Sequence, residues 1–167
     1  MISIYTYGCS TSKNDIKVGL YVVADHKVLP QKTYTFTSSD LYVTPLTSAF
    51  YSIDQAISFI IESHQDEYFC VYTSDIEIIF AMKGTLNSEL PGIGEEVIER
   101  IKLLRNNFIV SFQYASPKYT KYMRTVWEMV MPGTPSKPVL GTGNSVSYFN
   151  KLPGEVKLFQ PKRKKIN

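Results

Sequence analysis

The feature that most constrains the fold is a series of three strand-like segments at the start of the chain. Residues 2–9 alternate apolar with small or polar side chains, and residues 18–24 are almost continuously apolar. Residues 32–37 alternate again and are rich in Thr and aromatic residues. The turns between them, at residues 11–15 and 25–27, are too short for a crossover connection. The sequence therefore predicts a three-stranded antiparallel meander.

Apolar residues then recur at helical spacing, which predicts a helix over residues 48–63. Thr47 or Ser48 is the expected N-cap, and residues 39–48, which include Pro45, are expected to be irregular. Residues 68–73 follow as a fourth strand. Because this strand is reached through a helix, we expect it to lie parallel to its neighbour with a right-handed crossover.

The remainder of residues 1–131 continues the alternation of helices and strands. Ser74 or Asp75 is expected to cap a short helix over residues 76–83, which Gly84 ends. A second helix begins near Glu95, and residues 108–114 predict a fifth strand. The last helix is predicted over residues 118–131, with Tyr119, Tyr122, Val126, Met129 and Val130 on one face. These patterns predict an α/β fold with a five-stranded mixed sheet flanked by helices.

Composition excludes several classes of protein. The 167 residues are 44% apolar, enough to bury the core of one ordinary domain. Neither a membrane-spanning run nor a signal peptide is present, so an intracellular, cytoplasmic protein with no membrane partner is expected. Cys9 and Cys70 are expected to be buried thiols, and His26 and His64 stand alone. No metal site and no small-molecule cofactor are therefore expected.

Positive charge is concentrated in residues 132–167. This segment holds seven of the 18 basic residues and one of the 15 acidic ones, so it carries +6 and residues 1–131 carry −3. It is rich in Pro and Gly, which predicts an extended strap and no second folded domain. Its basic end is a candidate for phosphate binding, through Lys162, Arg163, Lys164 and Lys165. Its apolar runs are candidates for contact with a partner, through Tyr148, Phe149, Leu158 and Phe159.

The first strand, Ile4-Tyr5-Thr6-Tyr7-Gly8-Cys9-Ser10, resembles that of the ribonuclease H family, in which an apolar residue precedes Tyr-Thr-Asp-Gly. The order of predicted elements over residues 2–131 is also similar to that family. The resemblance implies a ribonuclease H-like fold and, for active members, cleavage of the RNA strand of an RNA-DNA hybrid with two divalent ions. Such ions require carboxylate ligands.

The family takes these carboxylates from the first strand, the first helix, the end of the fourth strand and the last helix. At the corresponding positions this chain carries Tyr7, Ser52, Ser74 and Val126. Asp54 is expected to face away from the site on its helix, and Asp75 to lie on the opposite face of its strand. The resemblance therefore implies a fold of the family without its metal-binding acids. A displaced site built from Asp75, Glu77 and Asp54 is the alternative.

Tyr7 itself has two interpretations. It fills the vacated pocket and hydrogen-bonds to Ser52 or Ser74, or it offers an aromatic platform to a base or to a side chain of a partner. Near the last helix, basic and aromatic residues interleave as they do on nucleic-acid-binding surfaces. The candidates there are Lys118, Lys121 and Arg124.

Three functions remain open at this stage. The first is a catalytically inactive ribonuclease H-like module that binds nucleic acid or a machine that processes it, such as a polymerase. The second is a pure protein-interaction factor, for example a phage-encoded regulator of a host protein. The third is a nuclease with a relocated acidic site. The negative net charge of residues 1–131 weighs against a broad electropositive groove, so protein binding competes with nucleic-acid binding.

Overall fold

The computed structural model describes residues 1–12, 14–37, 44–63 and 68–131. Within these ranges the strands are β1 (Ile2–Ser12), β2 (Asp15–Ala24), β3 (Lys27–Val28), β4 (Lys32–Thr37), β5 (Tyr68–Thr73) and β6 (Ile109–Tyr114). The helices are α1 (Pro45–Ser63), α2 (Ile76–Lys83), α3 (Gly92–Leu104) and α4 (Lys121–Val130). None of these helices is both long and apolar enough to cross a membrane. The predicted strap at residues 132–167 lies outside the described ranges.

The strands form one mixed sheet. Its order is β3-β2-β1-β5-β6, and β4 pairs with β2 beside β3. β1 and β2 are antiparallel, whereas β5 lies parallel to both β1 and β6. This arrangement confirms the predicted mixed sheet and the antiparallel pairing of its first strands. The sheet gains the two-residue β3, whose Lys27 was expected in the turn at residues 25–27. Asp25 and His26 adopt left-handed φ angles of 49° and 66° and close a tight hairpin, so Lys27 pairs with β2.

Alternation along β1 divides the core between the two faces of the sheet. Ile2 and Ile4 pack in the larger apolar cluster together with α1 and α3. Tyr5 and Tyr7 point to the other face and pack in a second cluster with residues of α4, including Trp127. Helix α1 therefore covers one face, and α4 covers β1 and β2 on the other.

Helix α1 begins earlier than predicted. It starts at Pro45, and the backbone N–H of Thr47 donates a hydrogen bond to Thr44 Oγ1 over 3.1 Å. Thr44 therefore caps the helix, and the prediction of Thr47 or Ser48 as the cap is wrong. Proline is favoured in the first helical turn because its φ is already helical and its missing N–H would have no intrahelical partner there.

Helix α4 begins later than predicted. Residues 116–120 form a tight turn in which the backbone N–H of Thr120 donates to the carbonyl oxygen of Ser116 over 2.9 Å. Tyr119 lies in this turn with 44% of its surface exposed, so it does not belong to the buried face of α4. That face consists of Met123, Val126, Trp127 and Val130. Other boundaries also move, since β1 extends to Ser12, β2 begins at Asp15 and α3 begins at Gly92.

Candidate functional site

Of the four positions that correspond to the metal-binding acids of the ribonuclease H family, three meet at one cleft. Tyr7 from β1, Ser52 from α1 and Ser74 after β5 line a space of about 10 Å³, room for roughly one water molecule. Its other walls are Gly8, Ala49, Thr73 and Asp75. The fourth position, Val126, is fully buried in the cluster that also contains Tyr7. The fold therefore places these residues together, with side chains that are mostly neutral.

Tyr7 is 6% exposed and points its hydroxyl towards the end of α4. The hydroxyl lies 3.6 Å from Met131 Sδ, to which it donates. The Tyr7 hydroxyl donates its proton to Met131, and the predicted hydrogen bond to Ser52 or Ser74 remains a prediction. The interpretation of Tyr7 as an aromatic platform is wrong, since its ring is enclosed in the core.

Burial also determines the chemistry of the Tyr7 phenol. Removal from water raises the pKa of Tyr7 far above its ordinary value, and the neighbouring Cys9 and Asp75 raise it further. The side chain of Trp127, which lies beside the phenol, opposes this rise in pKa. Tyr7 is therefore a neutral phenol at physiological pH and offers no negative charge to a cation.

Helix α1 crosses β1 closely at this point. Thr6 Oγ1 donates to the backbone carbonyl oxygen of Ser52 over 3.0 Å and lies 3.2 Å from that of Gly19. A Cβ at Gly8 would overlap the carbonyl oxygen of Ser48. The hydroxyl of Ser52 donates to the carbonyl oxygen of Ala49 over 2.7 Å. Glycine at position 8 thus permits the approach of α1, and the Ser52 hydroxyl bonds to the helix backbone.

Asp75 is the carboxylate of this cleft. It is 2% exposed, and its Oδ1 accepts the backbone N–H of Glu77 over 2.8 Å, which caps α2. The expectation that Asp75 lies on the opposite face is wrong, because β5 ends at Thr73 and the chain turns. The backbone N–H of Asp75 donates to Thr73 Oγ1 within this turn. An Asp shortly after a strand is a sequence signal for a residue at this cleft. The alternation of side chains along a strand does not predict the direction of Asp75, because the strand has already ended at Thr73.

The residues of the displaced acidic site do not come together. Asp54 forms an ion pair with Arg100 of α3, and Arg100 also reaches Ser58 Oγ at 3.3 Å. Asp54 therefore joins α1 to α3, in line with its expected direction away from the cleft. Among the residues that the structure describes, no group of three or more His, Cys, Asp or Glu side chains is placed to hold a metal ion. His64 lies outside those residues.

Of the three basic residues predicted to form a surface near α4, Lys118 and Lys121 are exposed and Arg124 is partly buried. Arg124 donates from Nε to the carbonyl oxygen of Pro117 over 3.0 Å and from Nη2 to that of Lys118 over 2.8 Å. Arg124 therefore holds the turn before α4 in place. Lys118 and Lys121 are exposed, and Lys118 Nζ lies 5.5 Å from the centre of the Tyr119 ring. The candidates between Tyr148 and Lys165 lie outside the described residues.

Comparison with known proteins identifies the fold. No protein-family model matches the sequence, and no curated protein matches it either. Among solved structures, LC11-RNase H1 in complex with an RNA/DNA hybrid superposes with a TM-score of 0.62 at 16% identity, over 78% of this chain and 94% of that one. RNase H1 from Halobacterium salinarum gives 0.61 at 13% identity, over 75% and 92%. The N-terminal RNase H domain of a Mycobacterium tuberculosis protein gives 0.59 at 14% identity, over 75% and 88%.

These similarities, together with the strand order and the position of the cleft, define the class: the chain has the ribonuclease H fold. The resemblance inferred from the first strand is thereby confirmed at the level of the fold.

Proposed function

We propose that this chain is a non-catalytic ribonuclease H-like module that binds nucleic acid, or a protein that processes nucleic acid such as a polymerase. One observation carries the proposal. The position that would hold the first catalytic carboxylate is occupied by Tyr7, a neutral side chain enclosed between β1 and α4. A carboxylate at this position would lie among the apolar residues of the second core cluster.

The remaining donors of the cleft do not fit a pair of divalent ions. Hard cations such as Mg²⁺ prefer several carboxylate oxygens, and a two-ion site stabilises both the attacking and the leaving oxygen. The lining residues supply one carboxylate, Asp75, which also caps α2, while Ser52, Thr73 and Ser74 contribute neutral hydroxyls. The donor set therefore disagrees with the metal centre that the fold implies, and no cleavage step follows from it.

Two features favour nucleic acid as the ligand. One structure with this fold, LC11-RNase H1, was determined in complex with an RNA/DNA hybrid. In this chain Lys118 and Lys121 are exposed, and Lys118 lies beside the aromatic ring of Tyr119. Four consecutive basic residues follow at 162–165. Lysine and arginine attract phosphates, and the resulting affinity falls as salt concentration rises.

Binding and cleavage can be measured in the same samples. The full chain would be titrated into labelled duplex DNA, single strands and an RNA-DNA hybrid, with Mg²⁺ present, at low and high salt, and the products separated on a gel. We expect salt-sensitive binding without cleavage, and weaker binding when Lys162, Arg163, Lys164 and Lys165 are replaced by Ser. The matched control replaces four exposed basic residues elsewhere by Ser, namely Lys32, Lys83, Lys102 and Arg105. Absence of binding to every nucleic acid would overturn the proposal.

A separate observation favours the second candidate, a protein-interaction factor such as a phage-encoded regulator of a host protein. β6 lies at one end of the sheet order, and Ile109 on it is 70% exposed. Leu103, shortly before it on α3, is 64% exposed. An exposed strand edge with apolar side chains is suited to pairing with another chain. Such an interface would be nearly insensitive to salt and would be weakened by Ile109→Lys.

A further inference from the structure

A second cavity lies away from the cleft, on the α4 face of the sheet. It has a volume of about 170 Å³ and opens between the start of β1, the turn that joins β2 to β3, and the first turn of α4. Its lining residues are Met1, Ser3, Tyr5, Val23, Asp25, His26 and Tyr122. None of these residues lines the cleft at Tyr7, so the cavity is a separate feature of the fold.

Two aromatic rings, Tyr5 and Tyr122, line this cavity and pack against further aromatic residues behind them. The ring centre of Tyr122 lies 5.3 Å from that of Tyr5 and 5.4 Å from that of Tyr21. Tyr5 in turn stacks on Tyr72 with centres 4.6 Å apart, and both of these side chains are completely buried. Because Tyr122 packs against these buried rings, its ring is positioned before any ligand arrives, which lowers the entropic cost of stacking a flat ring against it.

The lining of the cavity also includes hydrogen-bonding groups, which lie on the turn formed by Asp25 and His26. Asp25 and His26 both have positive φ, a conformation that is uncommon for residues other than glycine. The turn presents the Asp25 carboxylate with 82% of its side chain exposed, 3.9 Å from the amino group of Met1. The cavity thus combines an aromatic wall with an exposed acceptor.

We propose that this cavity binds a single cytosine base of a single-stranded nucleic acid, a proposal that rests on the nucleic-acid function proposed above. A cavity of about 150 Å³ is sufficient to hold one benzene ring, so the volume here suits a one-ring base. Stacking on a tyrosine ring is a common means of holding unpaired bases. Lys121 is exposed next to Tyr122 in sequence, where the backbone phosphates of the strand would pass.

The carboxylate selects which one-ring base is held. Cytosine carries an exocyclic amino group that donates to a carboxylate, whereas thymine presents a carbonyl oxygen at the same position. An acceptor facing an acceptor is unfavourable, so Asp25 favours cytosine over thymine and uracil. This selectivity requires only the aromatic wall and the Asp25 carboxylate, and it does not depend on the basic residues 162–165.

The test compares short DNA strands made only of cytosine with strands made only of thymine, at slightly alkaline pH to keep cytosine unprotonated. We expect the full chain to prefer cytosine at least about fivefold. Tyr122→Leu removes the stacking surface and should weaken binding of the cytosine strand about tenfold or more, while Tyr122→Phe keeps it. Asp25→Asn substitutes a side chain that donates as well as accepts and also tolerates positive φ, so it should abolish the preference.

Tyr119→Leu is the matched control for stacking, since Tyr119 is exposed but does not line the cavity. Thermal unfolding of each variant separates loss of binding from loss of fold, and Asp25→Asn remains informative if Tyr122→Leu is unstable. Equal binding of both strands, or a preference that survives Asp25→Asn, would overturn the cavity site and leave the proposed function intact. Binding of duplex DNA without binding of single strands would also overturn the cavity site and leave the proposed function intact. Absence of binding to any strand or duplex would overturn both proposals.

Discussion

The hydroxyl of Tyr7 lies 3.6 Å from the sulfur of Met131, so the position of the family's first acid is joined directly to the end of α4. Val126 and Trp127 of the same helix belong to the cluster around Tyr7. Two of the positions that hold acids in the ribonuclease H family, Tyr7 and Val126, therefore lie in one buried cluster between sheet and helix. This relationship explains why restoring one acid is not expected to restore a metal site.

Tyr7→Asp tests this directly. The change removes a buried aromatic side chain and places a carboxyl group among apolar residues, so we expect a loss of about 3–5 kcal/mol in the free energy of unfolding. Denaturant titration measures this loss, and Tyr7→Phe, which keeps the ring, should cost about 1 kcal/mol or less. A stable Tyr7→Asp variant that cleaves an RNA-DNA hybrid with Mg²⁺ would contradict the non-catalytic interpretation.

The fold could be predicted from the sequence because its periodic patterns are local. The alternation in β1 and the stripe that includes Ile53 and Ile57 in α1 each follow from a few neighbouring residues, and each is buried as expected. Asp75 and Gly84 cap α2 as predicted, whereas the cap of α1 was harder to predict. Thr44 lies outside the apolar pattern of α1, and its role depends on Pro45 starting the helix one residue later.

The site was predicted less well because its contacts join distant parts of the chain. The direction of the Tyr7 hydroxyl depends on α4 packing on the odd-numbered face of β1, which no local pattern encodes. Asp75 enters the cleft because the chain turns immediately after Thr73, where strand alternation no longer applies. The cavity at Tyr122 depends on three separate elements meeting, so sequence spacing contains no signal for it.

Gly8→Ala tests the close crossing of α1 over β1. The added Cβ would overlap the backbone carbonyl oxygen of Ser48, and backbone can move only with the whole helix, so a loss of roughly 2–4 kcal/mol is expected. Gly92→Ala is the matched control, because nothing lies within 4 Å of its added Cβ. The control should leave stability unchanged or raise it by up to about 1 kcal/mol. Equal stability of both variants in urea would refute the crossing geometry.

Asp75→Ala should remove the N-cap of α2 at a cost of about 1 kcal/mol, whereas Asp75→Ser should retain most of the capping. Chemical unfolding of the two variants provides the comparison. A third variant, Asp75→Asn, separates a structural carboxylate from a catalytic one. If the chain showed Mg²⁺-dependent cleavage that disappeared in Asp75→Asn, the relocated acidic site would be supported. Capping of α2 alone would then not explain the role of Asp75.

The Asp54–Arg100 pair should contribute a coupling energy of about 0.5–1 kcal/mol in a double-mutant cycle with Asp54→Asn and Arg100→Met. Both side chains are partly exposed, so solvent screening keeps the value small. The pair Glu99–Lys102 serves as the control, because its side chains are 68% and 64% exposed and should show no measurable coupling. Equal coupling in the two pairs would mean that Asp54 does not help to join α1 to α3.

Cys9 should react with alkylating reagents only slowly at neutral pH. Burial raises the pKa of the Cys9 thiol from 9.0 to about 11, with Lys17 opposing the rise, and only the thiolate is nucleophilic. Because the folded state holds this proton more tightly than the unfolded state, its contribution to stability is complete below about pH 9 and is lost as pH rises towards 11. We therefore expect the alkylation rate to climb steeply above pH 9 while the free energy of unfolding falls. Cys9→Ser should remove the reactive thiol, since Cys70 is 1% exposed. The Cys9 thiol donates to the carbonyl oxygen of Val130 at the end of α4 over 3.7 Å. Rapid labelling of Cys9 at pH 7 in the folded protein would show that this contact does not protect the thiol.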